Sequence, residues 1–128
     1  MNHREEARKM FVEDHLRCSQ AVLGAFAEEL GLTGELGRKI AGCFGSGMGM
    51  GETCGCVTGG LMALGLLGAD EETAVEFQRR FRARAGAMDC RDLLEAAQKQ
   101  GEEKKPHCDR VVALAVALVD ELTAGKER

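Results

Sequence analysis

A glycine-rich stretch that runs into an apolar helix occupies the middle of this 128-residue chain. Glycine fills every second position from residue 45 to residue 51, a density too flexible for the interior of a helix. A helix is then predicted from about Thr53 to Gly68. Within it Gly55, Gly59 and Ala63 lie four residues apart, so that a neighbouring helix can approach this smooth face closely. We therefore expect this helix to be the buried centre of the fold.

The rest of the chain has the composition of an all-α protein. It contains one proline, no alternating β-branched run, and many Ala, Leu, Glu, Arg and Lys residues. Residues 1–128 are expected to form a single compact helical domain, with about six to seven helices around the central one. The predicted helices cover residues 4–14, 18–30 with Gly31 as C-cap, 33–44 with Thr33 as N-cap, 53–68, a fifth helix that Asp70 or Thr73 opens and that runs through Ala85, 90–98 after the N-cap Asp89, and a last helix that starts at Pro106.

Three predictions concern individual positions on these helices. Val75, Phe77 and Phe81 are expected to point into the core. His3 is expected to lie in a charged tail, and His15 and His107 are interpreted as solvated residues that could also serve as bases or ligands. Residues 125–128 are expected to fray.

Charge and composition exclude some classes of function. The net charge is −4 and the only aromatic residues are five phenylalanines, which argues against nucleic-acid binding. The first residues are charged and precede no apolar run, so we expect no signal peptide. The longest apolar stretch, about 56–67, is too short to cross a bilayer, so no transmembrane segment and a cytoplasmic location are predicted.

Four of the six cysteines fall at predicted helix starts: Cys18, Cys54, Cys90 and Cys108. A helix N-terminus carries partial positive charge, and this favours the thiolate, which is the form that attacks disulfides and ligates metals. Each of the four also has a cation nearby, such as Arg17 beside Cys18. Cys54, delivered by the glycine-rich loop, is predicted to be the most reactive thiol.

The remaining two cysteines, Cys43 and Cys56, are interpreted as core or auxiliary residues. Cys43 follows Ile40 by three residues on the predicted apolar side of its helix. Inside a regular helix Cys54 and Cys56 would point about 200° apart, since each residue turns the helix by ~100°.

Three hypotheses fit these residues. In the first, the four cysteines carry reversible dithiol–disulfide chemistry, as in a thiol oxidoreductase, with Cys54 attacking and Cys18, Cys90 or Cys108 resolving. In the second, the same four cysteines bind zinc or an iron–sulfur cluster. In the third, the chain is a helical interaction module with buried cysteines, and its glycine face forms a core or the seam of a homodimer.

The chain also resembles the family of small cysteine-rich proteins that are classed as redox-active and named C_GCAxxG_C_C. The resemblance extends from the segment Cys18-Ser19-Gln20-Ala21-Val22 to Cys108, and its most specific part is the stretch from residue 44 to residue 59. It implies four shared cysteines, carried over to Cys18, Cys54, Cys90 and Cys108, with Cys56 in the place of a family alanine. It further implies a redox or transporter-associated protein partner.

Overall fold

A computed structural model of the protein describes residues 2–124, and in that range it forms helices and turns with no strands. The expected fraying of residues 125–128 lies outside the described residues. The helices are α1 (His3–Arg8, continued by a π-helical turn Lys9–Glu13), α2 (Cys18–Ala27, continued by a 3₁₀ turn Glu28–Leu30), α3 (Gly34–Ala41), α4 (Gly55–Leu66), α5 (Glu71–Ala85), α6 (Cys90–Lys99) and α7 (Lys104–Thr123). The prediction of an all-α domain is confirmed.

The capping residues act largely as the sequence predicts. The Thr33 side chain accepts a hydrogen bond from the Leu36 N–H at 3.2 Å, and Gly31 ends the preceding turn with a φ of 87°. The last helix begins two residues earlier than expected, at Lys104. Pro106 is its third residue, which is tolerated because N–H groups of the first turn have no partner within the helix.

The α4 helix is the central helix, as predicted, and its glycine face packs against α2. A Cβ atom on Gly59 would lie 2.7 Å from the Ser19 carbonyl oxygen and 3.2 Å from the Val22 Cβ. Such short separations show that the helix backbones meet where both side chains are small. Within the described residues the glycine face is therefore part of the core of this chain.

The long helix α7 crosses the bundle and packs on α1, α2, α4, α5 and α6. It closes the core with Val112, Ala115 and Val119, all nearly without exposed surface. Fully buried aromatic rings complete the core, with Phe77 and Phe81 entering from α5 as predicted.

Several of the sequence predictions about individual residues are wrong. Val75 is 40 % exposed because it lies on the outer side of α5. The helix α3 ends at Ala41, short of Phe44, and leaves Ile40 and Cys43 exposed. His3 is not in a tail: its ring lies 4.1 Å from the Phe26 ring and its Nδ1 lies 2.7 Å from Asp120 Oδ1.

No helix among residues 2–124 combines the length and the apolar character needed to cross a membrane.

Candidate functional site: a cysteine-lined cavity

Five of the six cysteines line one cavity of about 390 Å³. They come from α2, α4, α6 and α7 and are Cys18, Cys54, Cys56, Cys90 and Cys108. The structure thus brings together all four cysteines singled out in the sequence and adds Cys56. Only Cys43 is left outside, on the surface after α3. All six are free thiols.

A short antiparallel bridge holds the starts of α4 and α6 side by side. The Cys54 N–H donates to the Met88 carbonyl oxygen at 2.8 Å, and the Cys90 N–H donates to the Glu52 carbonyl oxygen at 2.6 Å. Because each cysteine is tied through its own backbone to the opposite segment, the bridge fixes both thiols at one wall of the cavity.

The glycine-rich loop passes over the starts of α2 and α6. Ser46 adopts a left-handed conformation with a φ of 54°, and its N–H donates to the Cys18 sulfur. At Gly47, with a φ of 62°, an added Cβ would lie 2.5 Å from the Glu52 nitrogen and 2.9 Å from the Cys90 Cβ. The prediction that this segment is no regular helix is confirmed, and the close approach explains its glycines.

The Cys18 sulfur rests on the backbone of α4 at Gly55. A Cβ atom at that position would lie only 2.5 Å from the Cys18 Sγ. Glycine is therefore required there for the first turn of α2 to reach the first turn of α4. This approach places Cys18 within hydrogen-bonding distance of the Cys56 thiol.

Cys56 is the hydrogen-bond donor at the centre of a three-sulfur cluster, formed by Cys18, Cys54 and Cys56. Its side chain is 1 % exposed and hydrogen-bonds to both other sulfurs. Those two bonds and burial raise the pKa of Cys56 well above its ordinary value of 9.0. Cys56 therefore keeps its proton and offers it to its neighbours.

Cys18 is the thiol whose ionised form the cluster stabilises most clearly. The hydrogen bond from Cys56 and backbone N–H groups, including that of Ser46, outweigh burial and lower the pKa of Cys18 from 9.0 to about 6. The side chain is half-buried and lines the cavity. At neutral pH Cys18 is consequently a thiolate, and a molecule bound in the cavity can contact it.

Cys54 is the second ionisable sulfur, but it is only 7 % exposed. The Cys56 hydrogen bond lowers its pKa, as do the N–H groups of Cys56 and Val57 at the start of α4, while burial and the negative charge of Cys18 act in the opposite direction. One S–H donates to one sulfur at a time, so Cys18 and Cys54 compete for the Cys56 proton.

Cys90 and Cys108 also line the cavity, but their thiolates are not stabilised as the sequence analysis expects. Burial, reinforced by the negative charges of Cys18 and Cys54, raises the pKa of Cys108 to about 11 and also raises the pKa of Cys90. Cys108 is the fifth residue of α7 and not at its start, since the helix begins at Lys104. The helix N-terminus therefore does not make it a thiolate.

His107 lines the same cavity and is only 4 % exposed, so the prediction of a solvated side chain is wrong for this residue. Its Nδ1 lies 3.2 Å from Arg110 Nη2, which also lies 2.9 Å from Glu102 Oε1. The same Nδ1 lies 3.4 Å from Glu102 Oε1, so His107 and Arg110 share this carboxylate. His15, in contrast, is exposed as expected.

The hypothesis of a metal site on Cys18, Cys54, Cys90 and Cys108 stays a prediction. Over residues 2–124, no set of three or more Cys, His, Asp or Glu side chains is arranged so that it could hold a metal ion.

Comparison with family models identifies the chain. Residues 16–122 match the model described as "Putative redox-active protein (C_GCAxxG_C_C)". The chain belongs to this family. No match was found among curated proteins or among solved structures. The resemblance seen in the sequence is thus confirmed over most of the chain.

The assignment of the four family cysteines to Cys18, Cys54, Cys90 and Cys108, with Cys56 in the place of a family alanine, stays a prediction. Gly55 and Gly60 of this segment each have a structural reason, because a Cβ on Gly60 would strike the Phe77 ring as one on Gly55 would strike Cys18.

Cys56 is buried in the core, as predicted, but it also lines the cavity, which the sequence interpretation missed because it treated Cys54 and Cys56 as two residues of one helix. Cys54 is the N-cap of α4 with a ψ of 137°, outside helical geometry, so the 100° rotation per residue does not relate the two side chains.

Proposed function

We propose that this protein carries out thiol–disulfide exchange with Cys18 as the attacking thiolate and Cys56 as the resolving thiol. The observation that supports it most strongly is that Cys18 and Cys56 line the same cavity, where hydrogen bonding from the Cys56 thiol lowers the pKa of Cys18. A low-pKa thiolate with a second thiol beside it is the arrangement that dithiol–disulfide chemistry requires.

The first step forms a mixed disulfide. The Cys18 thiolate attacks one sulfur of a substrate disulfide, the substrate S–S bond breaks, and one substrate half leaves as a thiolate that takes a proton from solvent. The charge of Cys18 disappears in this step. Cys56 then no longer has an anion to donate to at Cys18, and its proton is free to move to the Cys54 thiolate.

The second step closes an internal disulfide. As Cys56 attacks the Cys18 sulfur its proton passes to Cys54, and the second substrate half leaves as a thiolate. In total the substrate gains two electrons and becomes two thiols, while Cys18 and Cys56 lose two electrons and become a disulfide. A dithiol partner, a redox or transporter-associated protein among the candidates, returns the protein to its reduced state by the reverse exchange.

The test is to map the bond that forms. Fully reduced protein is treated anaerobically with 2-hydroxyethyl disulfide, remaining thiols are alkylated, and peptides are analysed by mass spectrometry. We expect a disulfide between Cys18 and Cys56 and two 2-mercaptoethanol molecules released per chain. Absence of any internal disulfide, or one that joins only Cys90 and Cys108, would refute the proposal.

Two variants supply matched controls. Replacing the attacking thiol in Cys18→Ser should abolish product release, whereas replacing the exposed thiol in Cys43→Ser should leave it unchanged, since that side chain lies outside the cavity. Cys56→Ser should stop at the mixed disulfide and release one molecule of 2-mercaptoethanol. If Cys56→Ser still forms an internal disulfide with Cys54, the resolving role of Cys56 is wrong.

A further inference from the structure

The cavity has a charge opposite to that of the protein as a whole. The chain carries a net charge of −4, yet the described cavity lining contains Arg17, Lys104 and Lys105 and no carboxylate. Even with Cys18 and Cys54 both ionised, one net positive charge remains on this lining. An anion is therefore attracted to the cavity more than a neutral or cationic molecule is.

Two of these cations are available to a ligand. The Lys105 amine donates to the Phe11 carbonyl oxygen at 3.0 Å and lies 4.0 Å from the centre of the Phe11 ring, so it has an internal role. Arg17 and Lys104, by comparison, form no ion pair with any residue of the described range. The charge of Lys104 reaches the interior, since it offsets part of the rise in the pKa of both Cys90 and Cys108.

The size and walls of the cavity point to a small molecule. Its volume of about 390 Å³ lies within the ~300–1,000 Å³ range usual for small-ligand sites, and apolar side chains form part of its wall. The attacking thiol, Cys18, is half-buried and lines this cavity, so a substrate sulfur must enter the cavity to reach it. A slender disulfide can do this more readily than a broad protein surface.

We infer that the substrate is a small disulfide bearing carboxylates, held by Arg17 and Lys104 while one of its sulfurs meets Cys18. This inference rests on the proposed exchange reaction and specifies what it acts on. Attack by Cys18 breaks the substrate S–S bond and closure by Cys56 releases the second half. The products are two carboxylate-bearing thiols and one oxidised Cys18–Cys56 pair. The released thiolates take up protons from solvent.

A matched series of disulfides tests it. The dianionic 3,3′-dithiodipropionate, the neutral 2-hydroxyethyl disulfide and the dicationic cystamine have the same spacing between sulfur and end group. Each rate of oxidation of the reduced protein is divided by the rate of the same disulfide with free 2-mercaptoethanol, which removes differences in leaving-group reactivity. We expect a normalised preference of about tenfold for the dianion over the neutral compound, which falls as salt is added.

Charge-removing variants locate the effect. Arg17→Gln combined with Lys104→Gln should bring the normalised rates of the dianionic and the neutral disulfide to the same value. The same charge change at two cations outside the cavity, Arg38→Gln with Lys9→Gln, should preserve the preference for the dianion. Equal normalised rates for all three disulfides, or a preference that survives in the Arg17 and Lys104 variant, would overturn the inference and leave the exchange reaction intact. If none of the disulfides oxidises Cys18, the proposed function itself fails and the inference falls with it.

Discussion

Replacing Cys56 by alanine should return the pKa of Cys18 toward its ordinary value. The Cys56 hydrogen bond is the largest of the effects that lower the pKa of Cys18 from 9.0 to about 6, and alanine has no group to replace it. The backbone N–H groups of Ser46 and Ser19 remain, so we expect the pKa to recover only in part, to about 8.

The expected change in reactivity follows from this shift. At pH 6 a rise of the pKa from about 6 to about 8 reduces the thiolate fraction of Cys18 from about one half to about 1 %. The more basic thiolate is intrinsically a better nucleophile by about eightfold, for a Brønsted coefficient of ~0.45. The net result is a decrease of about sixfold in the rate at pH 6.

The assay is site-resolved alkylation with iodoacetamide between pH 4.5 and 10, followed by mass spectrometry of the Cys18 peptide. Cys56→Ser is the matched control because a serine hydroxyl can still donate, so it should keep the Cys18 profile close to that of the unmodified protein. An apparent pKa near 6 in Cys56→Ala, or the same upward shift in both variants, would refute the assignment of Cys56 as donor. Far-UV circular dichroism verifies that both variants fold.

Three further predictions concern stability and thiol reactivity. Because Cys18 has a pKa of about 6 when folded and 9.0 ordinarily, the unfolded chain binds more protons between these values. Urea titrations should therefore show stability that rises with pH from 6 to 9 and falls as pH drops toward 6, and Cys18→Ser should flatten this rise. Gly55→Ala should destabilise the fold by at least ~2 kcal/mol, whereas Gly65→Ala, with open space around its Cβ, should stabilise it by ~0.5 kcal/mol; equal effects would contradict the close approach at Gly55. At pH 7.5 Cys90 and Cys108 should alkylate at least tenfold more slowly than Cys18, and comparable rates would show that burial does not protonate them.

The helices were predictable from local patterns because their ends are encoded in single residues. Thr33 and Gly31 cap helices as their residue types suggest, and the glycines of α4 face a neighbouring helix as their spacing implies. The exposure of Val75 could not be predicted from the local sequence in the same way. Which side of a helix faces the core depends on the elements packed against it, and α5 meets α7 on another side.

The convergence of the cysteines depends on tertiary structure and could only be proposed as one of several alternatives. Helix starts were a good guide to Cys18 and Cys54, where backbone N–H groups do stabilise the thiolates. They were a poor guide to Cys90 and Cys108, because burial inside the cavity outweighs the helix N-terminus. The central place of Cys56 follows from the non-helical backbone before it and from contacts with α2, neither of which local periodicity can reveal.

A site-resolved redox titration tests the central claim most directly. The protein is equilibrated anaerobically at a series of ratios of reduced to oxidised dithiothreitol, quenched with acid, and analysed for the oxidation state of every cysteine. We predict that Cys18 and Cys56 oxidise together as one two-electron couple, recover fully on reduction, and leave Cys43 unchanged throughout. If Cys18 and Cys56 oxidise independently of each other, or no internal disulfide forms at any ratio, the account of this cluster as a reversible dithiol is wrong.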